Sequence, residues 1–328
     1  MLNSNENAYG PFSSVLAMGN PFQDANRYPD RHSDLLYERL ASMNKVAVDQ
    51  VVTGCGSTEI LRMAACAFTG PGRKLVTALP TFEAIAAYSK ASGAEVVQVP
   101  LTSGFAHDLG AMLKAAGQDA GLVYICNPNN PTGTLTPRGD IEDFIRKLPK
   151  NTHVLIDEAY HDFVGAASDY ASFLEHPMDD NRIIVARTFS KIYGLAGMRC
   201  GYGVAAAPIV QNLRKYRTQD SLNIFVMRSA LISLDDASGL QLGRQRNTAD
   251  RDEFMHQAAA RRLQVMPSFT NFVMVNANRP VHSVIDHFKA KNILIGRPFP
   301  PLDTYARISL GKPDEMKQFW QAWDAMTV

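Results

Sequence analysis

The chain has 328 residues, 33 of them Lys or Arg and 32 Asp or Glu, for a formal charge of +1, with 46% hydrophobic and 20% charged residues. That composition describes a globular protein long enough for a large domain with a smaller one attached. The absence of any basic block argues against a nucleic-acid partner and leaves a small molecule as the expected one.

Four isolated cysteines, Cys55, Cys66, Cys126 and Cys200, argue against a disulfide framework and against structural zinc. They fit free thiols in a reducing compartment, so the expected location is cytoplasmic. The abrupt opening at Met1-Leu2-Asn3 leaves room for an upstream leader and keeps export open. The longest near-apolar run, residues 202–210, is far shorter than the roughly 20 residues of a membrane span.

In chain order, residues 1–30 are polar and rich in Asn, Pro and Gly and read as an extended arm. A helix is predicted over 33–43 with Ser33 as its cap. Short Val/Ile-rich runs then alternate with amphipathic stretches. Strands are predicted at 50–53, 74–78, 95–99, 121–126, 153–156, 183–186 and 201–204, with helices such as 58–68, 82–91 and 140–148 between them. This rhythm predicts an α/β fold: a large domain over 31–220 built on a mainly parallel, doubly wound sheet that carries its sites at strand carboxyl ends. Beyond it the pattern changes to helices at 208–216, 224–235 and 239–262, then NFVMVNA, a helix at 281–289, the strand-like runs NILIGR and YARISL, and a helix at 314–325. Residues 221–328 therefore read as a smaller α/β domain.

Three strands end in polar clusters. The run GLVYIC leads into Asn127-Pro128-Asn129-Asn130-Pro131-Thr132-Gly133, VLI into Asp157-Glu158-Ala159-Tyr160, and IIVA into Arg187-Thr188-Phe189-Ser190-Lys191, with Arg199 eight residues past the lysine. Taken singly, these read as a Pro/Asn/Gly turn, a helix cap and a solvated surface lysine. Taken together on one rim, they supply what pyridoxal phosphate requires: an amine that forms a Schiff base, a carboxylate for the pyridine nitrogen, and phosphate donors. Lys191 is the expected attachment point and base, Asp157 the partner of the ring nitrogen, and Tyr160 and Asn130 the donors to the ring's 3-oxygen.

For the phosphate, Gly54-Cys55-Gly56-Ser57-Thr58-Glu59 follows a strand and opens a helix, so Ser57 and Thr58 face an anion at its positive end, and Ser190 and Arg199 complete the cradle. The run lacks the third glycine of a dinucleotide fingerprint and the Gly-Lys-Ser/Thr ending of a P-loop. Phe82 is placed either to stack on a planar ring or to pack in the core. Eight scattered histidines show no metal spacing, and only His161 stands near this rim.

On these residues the chain resembles the fold-type I pyridoxal-phosphate aminotransferases, and among them the histidinol-phosphate aminotransferase group. The markers are LNSNENAYGP, RYPD, GCGSTEIL, LPTF, NPNNPTG, VLIDEAY, RTFSKIYGLAGMRCGYG, MPSFTNF and ARISLG, spread over nearly the whole length. The resemblance implies the cofactor roles just given, with Phe82 as the stacked aromatic. It further implies that Tyr28 reaches the cofactor phosphate of a neighbouring subunit, hence a homodimer with shared sites, that Arg307 grips the substrate's carboxylate or phosphate, and that Tyr9 contacts substrate.

Two departures stand out: Gly296 intervenes between the apolar run Ile293-Leu294-Ile295 and Arg297, before an unusual PFPP loop, and the arm lacks the family's leader helix. With Arg297 displaced, the expected donor is a carboxylate-bearing amino acid rather than a histidinol-phosphate-like amine, with a 2-oxo acid as acceptor. A decarboxylase or cyclase on the same scaffold, and a non-catalytic regulatory domain, are the alternatives.

Overall fold

The structure is a computed structural model that describes residues 1–20, 22 and 24–326. Two helices precede the large sheet: the short α1 (Ser13–Leu16) and the longer α2 (Asp30–Asn44). Then follow β1 (Val51–Gly54), α3 (Ser57–Phe68), β2 (Lys74–Leu79), α4 (Ala84–Ala91), β3 (Val96–Pro100), α5 (Leu109–Ala116), β4 (Ala120–Cys126), α6 (Arg138–Lys147), β5 (His153–Asp157), β6 (Ile183–Thr188), β7 (Gly201–Ala205) and α7 (Ala207–Arg214). The strands form one sheet in the order β1-β7-β6-β5-β4-β2-β3, parallel throughout except for β7, which runs against both neighbours. All seven predicted strands are present, with ends moved by a residue or two.

Both faces of this sheet are buried, and the period-two alternation assigns residues to each. Leu122, Tyr124, Cys126, Leu155, Ile184 and Ala186 pack with α3 and α7 on one face. Val123, Ile125, Val154, Ile156 and Val185 pack with α5 and α6 on the other.

After α8 (Ile224–Asp235), the second body comprises α9 (Ala237–Ala260), β8 (Phe272–Asn276), α10 (Val281–Ala290), β9 (Tyr305–Ser309) and α11 (Pro313–Asp324). Strands β8 and β9 pair antiparallel over a core of Phe254, Val273, Phe288, Ile308, Phe319 and Trp323. Val226, Met227 and Ala230 of α8 pack instead with Leu36 and Leu40 of α2, so the change of core runs along α9, whose Phe254 and Ala258 join the second cluster. Among the described residues, no helix is long and apolar enough to cross a membrane.

Three local expectations are corrected. The first long helix opens at Asp30 after Pro29, so Ser33 lies inside it and caps nothing. The arm is not simply extended: it contains α1, and its first residues add to the small sheet. Leu2 bridges Ile295 in parallel, its N–H donates to Leu294 O at 2.7 Å, and its carbonyl accepts from Ser309 N at 3.0 Å. The NILIGR run is consequently no strand of β8–β9 but meets the arm through that bridge.

Leu2 is 2% exposed within the second core. Leu2→Ala should cost about 2–3 kcal/mol of arm docking and open residues 1–12 to limited proteolysis while the large sheet stays protected. Unchanged cleavage of the arm would show that Leu2 does not anchor it.

Candidate active site

The parallel register sets three strand ends side by side: Cys126 pairs with Asp157, and Asp157 with Ala186. At the neighbouring edge Gly201 pairs with both Gly54 and Thr188. A Cβ at Gly201 would overlap Ser57 N, so only glycine lets the start of α3 sit against the loop from β6. A cavity of about 400 Å³ opens on this rim.

One end of the cavity is built for an anion. Ser57 and Thr58 stand in the first turn of α3, which has no side-chain cap, so its N–H dipole ends face the space. Ser190 lies across from them. Arg199, held in a left-handed backbone conformation (φ 62°), donates from Nη1 to Ser190 Oγ at 3.2 Å and Ala196 O at 2.9 Å. Both acceptors are neutral, which leaves the guanidinium charge for a ligand.

At the other end, Lys191 Nζ donates to Asn5 O at 3.1 Å. Burial, with Arg307 nearby, pushes its ammonium down to about 8 against the opposing pull of Asp157. Asp157 is 2% exposed and burial pushes its carboxyl up to about 6. Tyr124 OH donates to its Oδ2 at 2.9 Å and Ala159 N to its Oδ1 at 3.1 Å, which keep it ionised at neutral pH. Burial pushes the Tyr160 phenol up; its oxygen accepts from Asn5 Nδ2 at 3.1 Å.

Arg307, on β9, donates from Nη1 to Asn130 Oδ1 at 2.6 Å and from Nη2 to Asn3 O at 2.8 Å, while its Nε has no hydrogen-bond partner among the described residues. Burial, helped by the charge of Arg297, pushes it down to about 10, so it stays charged.

Phe82 lines the same space, as does Arg297 at the mouth, where it pairs with Glu83. The structure thus brings together every expected site residue except two. Tyr9 is turned away: its hydroxyl donates to Asp250 Oδ1 of α9 at 3.2 Å, outside this cavity. Tyr28 is 81% exposed and also outside.

The departure at Gly296 has a packing cause: its N–H donates to Arg307 O at 2.8 Å and a Cβ there would sit 2.7 Å from that oxygen, so residue 297 is the next that can carry a long side chain. Asn5 and Tyr124 were not expected. For Tyr124 the signal was a phenol inside an apolar strand, whose hydroxyl needs a buried partner. For Asn5 there was only the Asn-rich arm.

A phosphate-ready helix end, a buried carboxylate and a lysine of lowered basicity along one cavity fit pyridoxal phosphate, and the fold and site define an enzyme of the class that depends on it. Comparison with known proteins agrees. The family model for aminotransferase class I and II matches residues 1–322. A histidinol-phosphate aminotransferase of Symbiobacterium thermophilum is 35% identical over 99% of this chain and 89% of its own length. One from Bacillus subtilis is 32% identical over 97% and 88%. The crystal structure of the Sinorhizobium meliloti histidinol-phosphate aminotransferase in complex with pyridoxal 5'-phosphate superposes with a TM-score of 0.91 at 28% identity, covering 99% of this chain and 89% of that one. The chain belongs to the class I and II aminotransferase family and resembles its histidinol-phosphate group. It is a pyridoxal-phosphate-dependent aminotransferase of fold type I.

The lowered lysine has a measurable consequence. The unfolded chain keeps the Lys191 proton up to about its ordinary 10.5, whereas the folded, cofactor-free chain releases it near 8. Between these values the unfolded state binds more protons, so this group's contribution to stability rises with pH. In urea unfolding of cofactor-free protein, the advantage of Lys191→Met over wild type should shrink from pH 8 to pH 10.5. A constant difference would mean that the ammonium is not penalised by its site.

Proposed function

We propose that the enzyme passes an amino group from an amino acid to a 2-oxo acid, with Lys191, Asp157 and Tyr160 as its catalytic residues. The observation that carries this assignment is the convergence of Lys191 and Asp157 with the anion-ready start of α3 in one cavity. When bound, the cofactor supplies a carbonyl that condenses with amines and a protonated pyridine ring that withdraws electrons from the substrate's α-carbon.

Ser57, Thr58, Ser190 and Arg199 hold the phosphate, and Phe82 offers the ring a face to stack on. Asp157 keeps the proton on the pyridine nitrogen; as a carboxylate already held by Tyr124 and Ala159, it does this without reorganising. Asn130 and Tyr160 donate toward the 3-oxygen. Lys191 Nζ has an appreciable neutral fraction near pH 8, so it would serve as the amine that attaches the cofactor and as the base that takes and returns the donor's α-proton. Arg307 orients the donor by its anionic group through a planar pair of N–H donors.

Amino-group transfer to 2-oxoglutarate across a panel of donors, with carbon dioxide followed in parallel, tests the reaction. Transfer without carbon dioxide is expected, and borohydride should fix the cofactor on Lys191; an adduct mapped to another lysine would remove the assignment. Carbon dioxide release as the main outcome would favour a decarboxylase on the same scaffold. A second reading, histidinol phosphate as donor, is favoured by the names of the relatives at 32–35% identity, and the same panel separates it from a carboxylate-bearing donor.

We further infer a cytoplasmic homodimer in which Tyr28 serves the partner's phosphate site. Leu16, Phe22 and Tyr28 are 71%, 69% and 81% exposed, large apolar side chains in the arm that an interface would cover. Mixing Lys191→Ala with Tyr28→Phe subunits should yield hybrids with one intact site and so more activity than either parent. No gain despite proven subunit exchange would exclude sharing through Tyr28.

A further inference from the structure

Three charged side chains meet at the mouth of the cavity, and they are not equivalent. Arg307, deeper, gives its hydrogen bonds to the neutral oxygens of Asn130 and Asn3 and keeps an unpartnered Nε. Arg297, at the rim, is paired: its Nη2 lies 2.7 Å from Glu83 Oε1. The ring of Phe299 ties the two together, with the Arg297 and Arg307 guanidinium carbons 4.4 and 4.6 Å from its centroid. Glu83 comes from the other side of the cavity, at the amino end of α4 directly after Phe82. All four side chains line the same space.

We propose that Glu83 is a specificity-determining residue, an internal counter-ion that occupies Arg297 and so tunes the site toward donors bearing a single carboxylate and against those bearing a dianionic phosphate. The inference rests on the reading of Arg307 as the receptor for the donor's anion. With Glu83 ionised, the rim pair is neutral, and of the two arginines only Arg307 has no carboxylate partner. A carboxylate needs one such charge. A phosphate dianion gains from a second, and to recruit Arg297 it must break the ion pair and lie beside the Glu83 carboxylate. Side chains of Arg297 and Glu83 are 52% and 66% exposed, so the pair is readily opened and strongly screened by salt. Glu83 therefore lowers the affinity for a dianion without forbidding it.

The test uses the enzyme loaded with the pyridoxamine form of the cofactor, which cannot condense with an amino donor, and two probes, L-histidinol phosphate and L-phenylalanine, with dissociation constants measured by calorimetry and no group transferred during the titration. Glu83→Gln should tighten L-histidinol phosphate about fivefold to tenfold at low ionic strength and less than twofold in 0.5 M salt, with L-phenylalanine unchanged within twofold. Most of the gain should vanish when Glu83→Gln is combined with Arg297→Gln. Equal tightening of both probes, no tightening of L-histidinol phosphate, or a gain that survives intact without Arg297 would each overturn the proposal. Because binding is read directly, these outcomes are distinct from failure of the transamination reading, which the donor panel decides by product formation.

Discussion

Keeping an ammonium group out of water is the constraint around which this molecule is organised. Lys191 stands at the end of a strand whose two faces are buried, and removing its charge from water lowers its basicity to about 8. A fully solvated lysine would be protonated almost throughout the neutral range and useless as a nucleophile or base; a wholly unpartnered one would have no fixed position. The structure lies between these limits. One carbonyl, Asn5 O, holds the Nζ, Asp157 pulls toward the charged form, and Arg307 pushes the other way.

That balance makes the amino-terminal arm part of the site. Asn5 sends its carbonyl to Lys191, its side-chain amide to Tyr160 and its N–H to Ser309 Oγ, while Asn271 Nδ2 also donates to its carbonyl. The arm keeps this geometry because Leu2 is hydrogen-bonded between Leu294 and Ser309 and packed in the second core. A backbone pairing in the smaller body thereby helps set the position of a lysine in the larger one. The same logic governs Asp157. Period-two alternation that points Leu122 and Leu155 into the core also points Tyr124 and Asp157 to one face, so the phenol that satisfies the carboxylate is supplied by the adjacent strand at no extra structural cost.

What could be read in the sequence follows the same division. Residues that lie at carboxyl ends of β-branched strands were legible, because burial on both faces writes a continuous apolar run and the first polar residues after it mark the rim: Asn130, Asp157, Tyr160, Ser190 and Lys191 all fall there. The arm was not legible. Its contacts reach residues far along the chain, and two of them, to Lys191 and Arg307, are made by backbone carbonyls, which leave no mark in residue type. Tyr9 shows the limit most clearly: its place in the motif put it at the substrate, whereas its hydroxyl found Asp250 and its ring the Arg246 guanidinium 4.7 Å away. The false strand at NILIGR has the complementary cause, since an apolar run of strand length was answered by the arm at Leu2 instead of by a strand of its own sheet.

Positive charge is distributed along the cavity with the same economy. Arg199 and Arg307 are each hydrogen-bonded only to neutral oxygens in their first contacts, at opposite ends of the space, and each keeps its full charge for an anion brought from outside. Several arginines elsewhere in the chain are neutralised at home: Arg187 by the buried Glu158, Arg138 by Glu142, Arg182 by Asp180. A buried guanidinium without a carboxylate costs stability unless a ligand completes it, so buried Arg307, which lines the cavity and bonds only neutral acceptors, is a place where the fold has given up stability for binding.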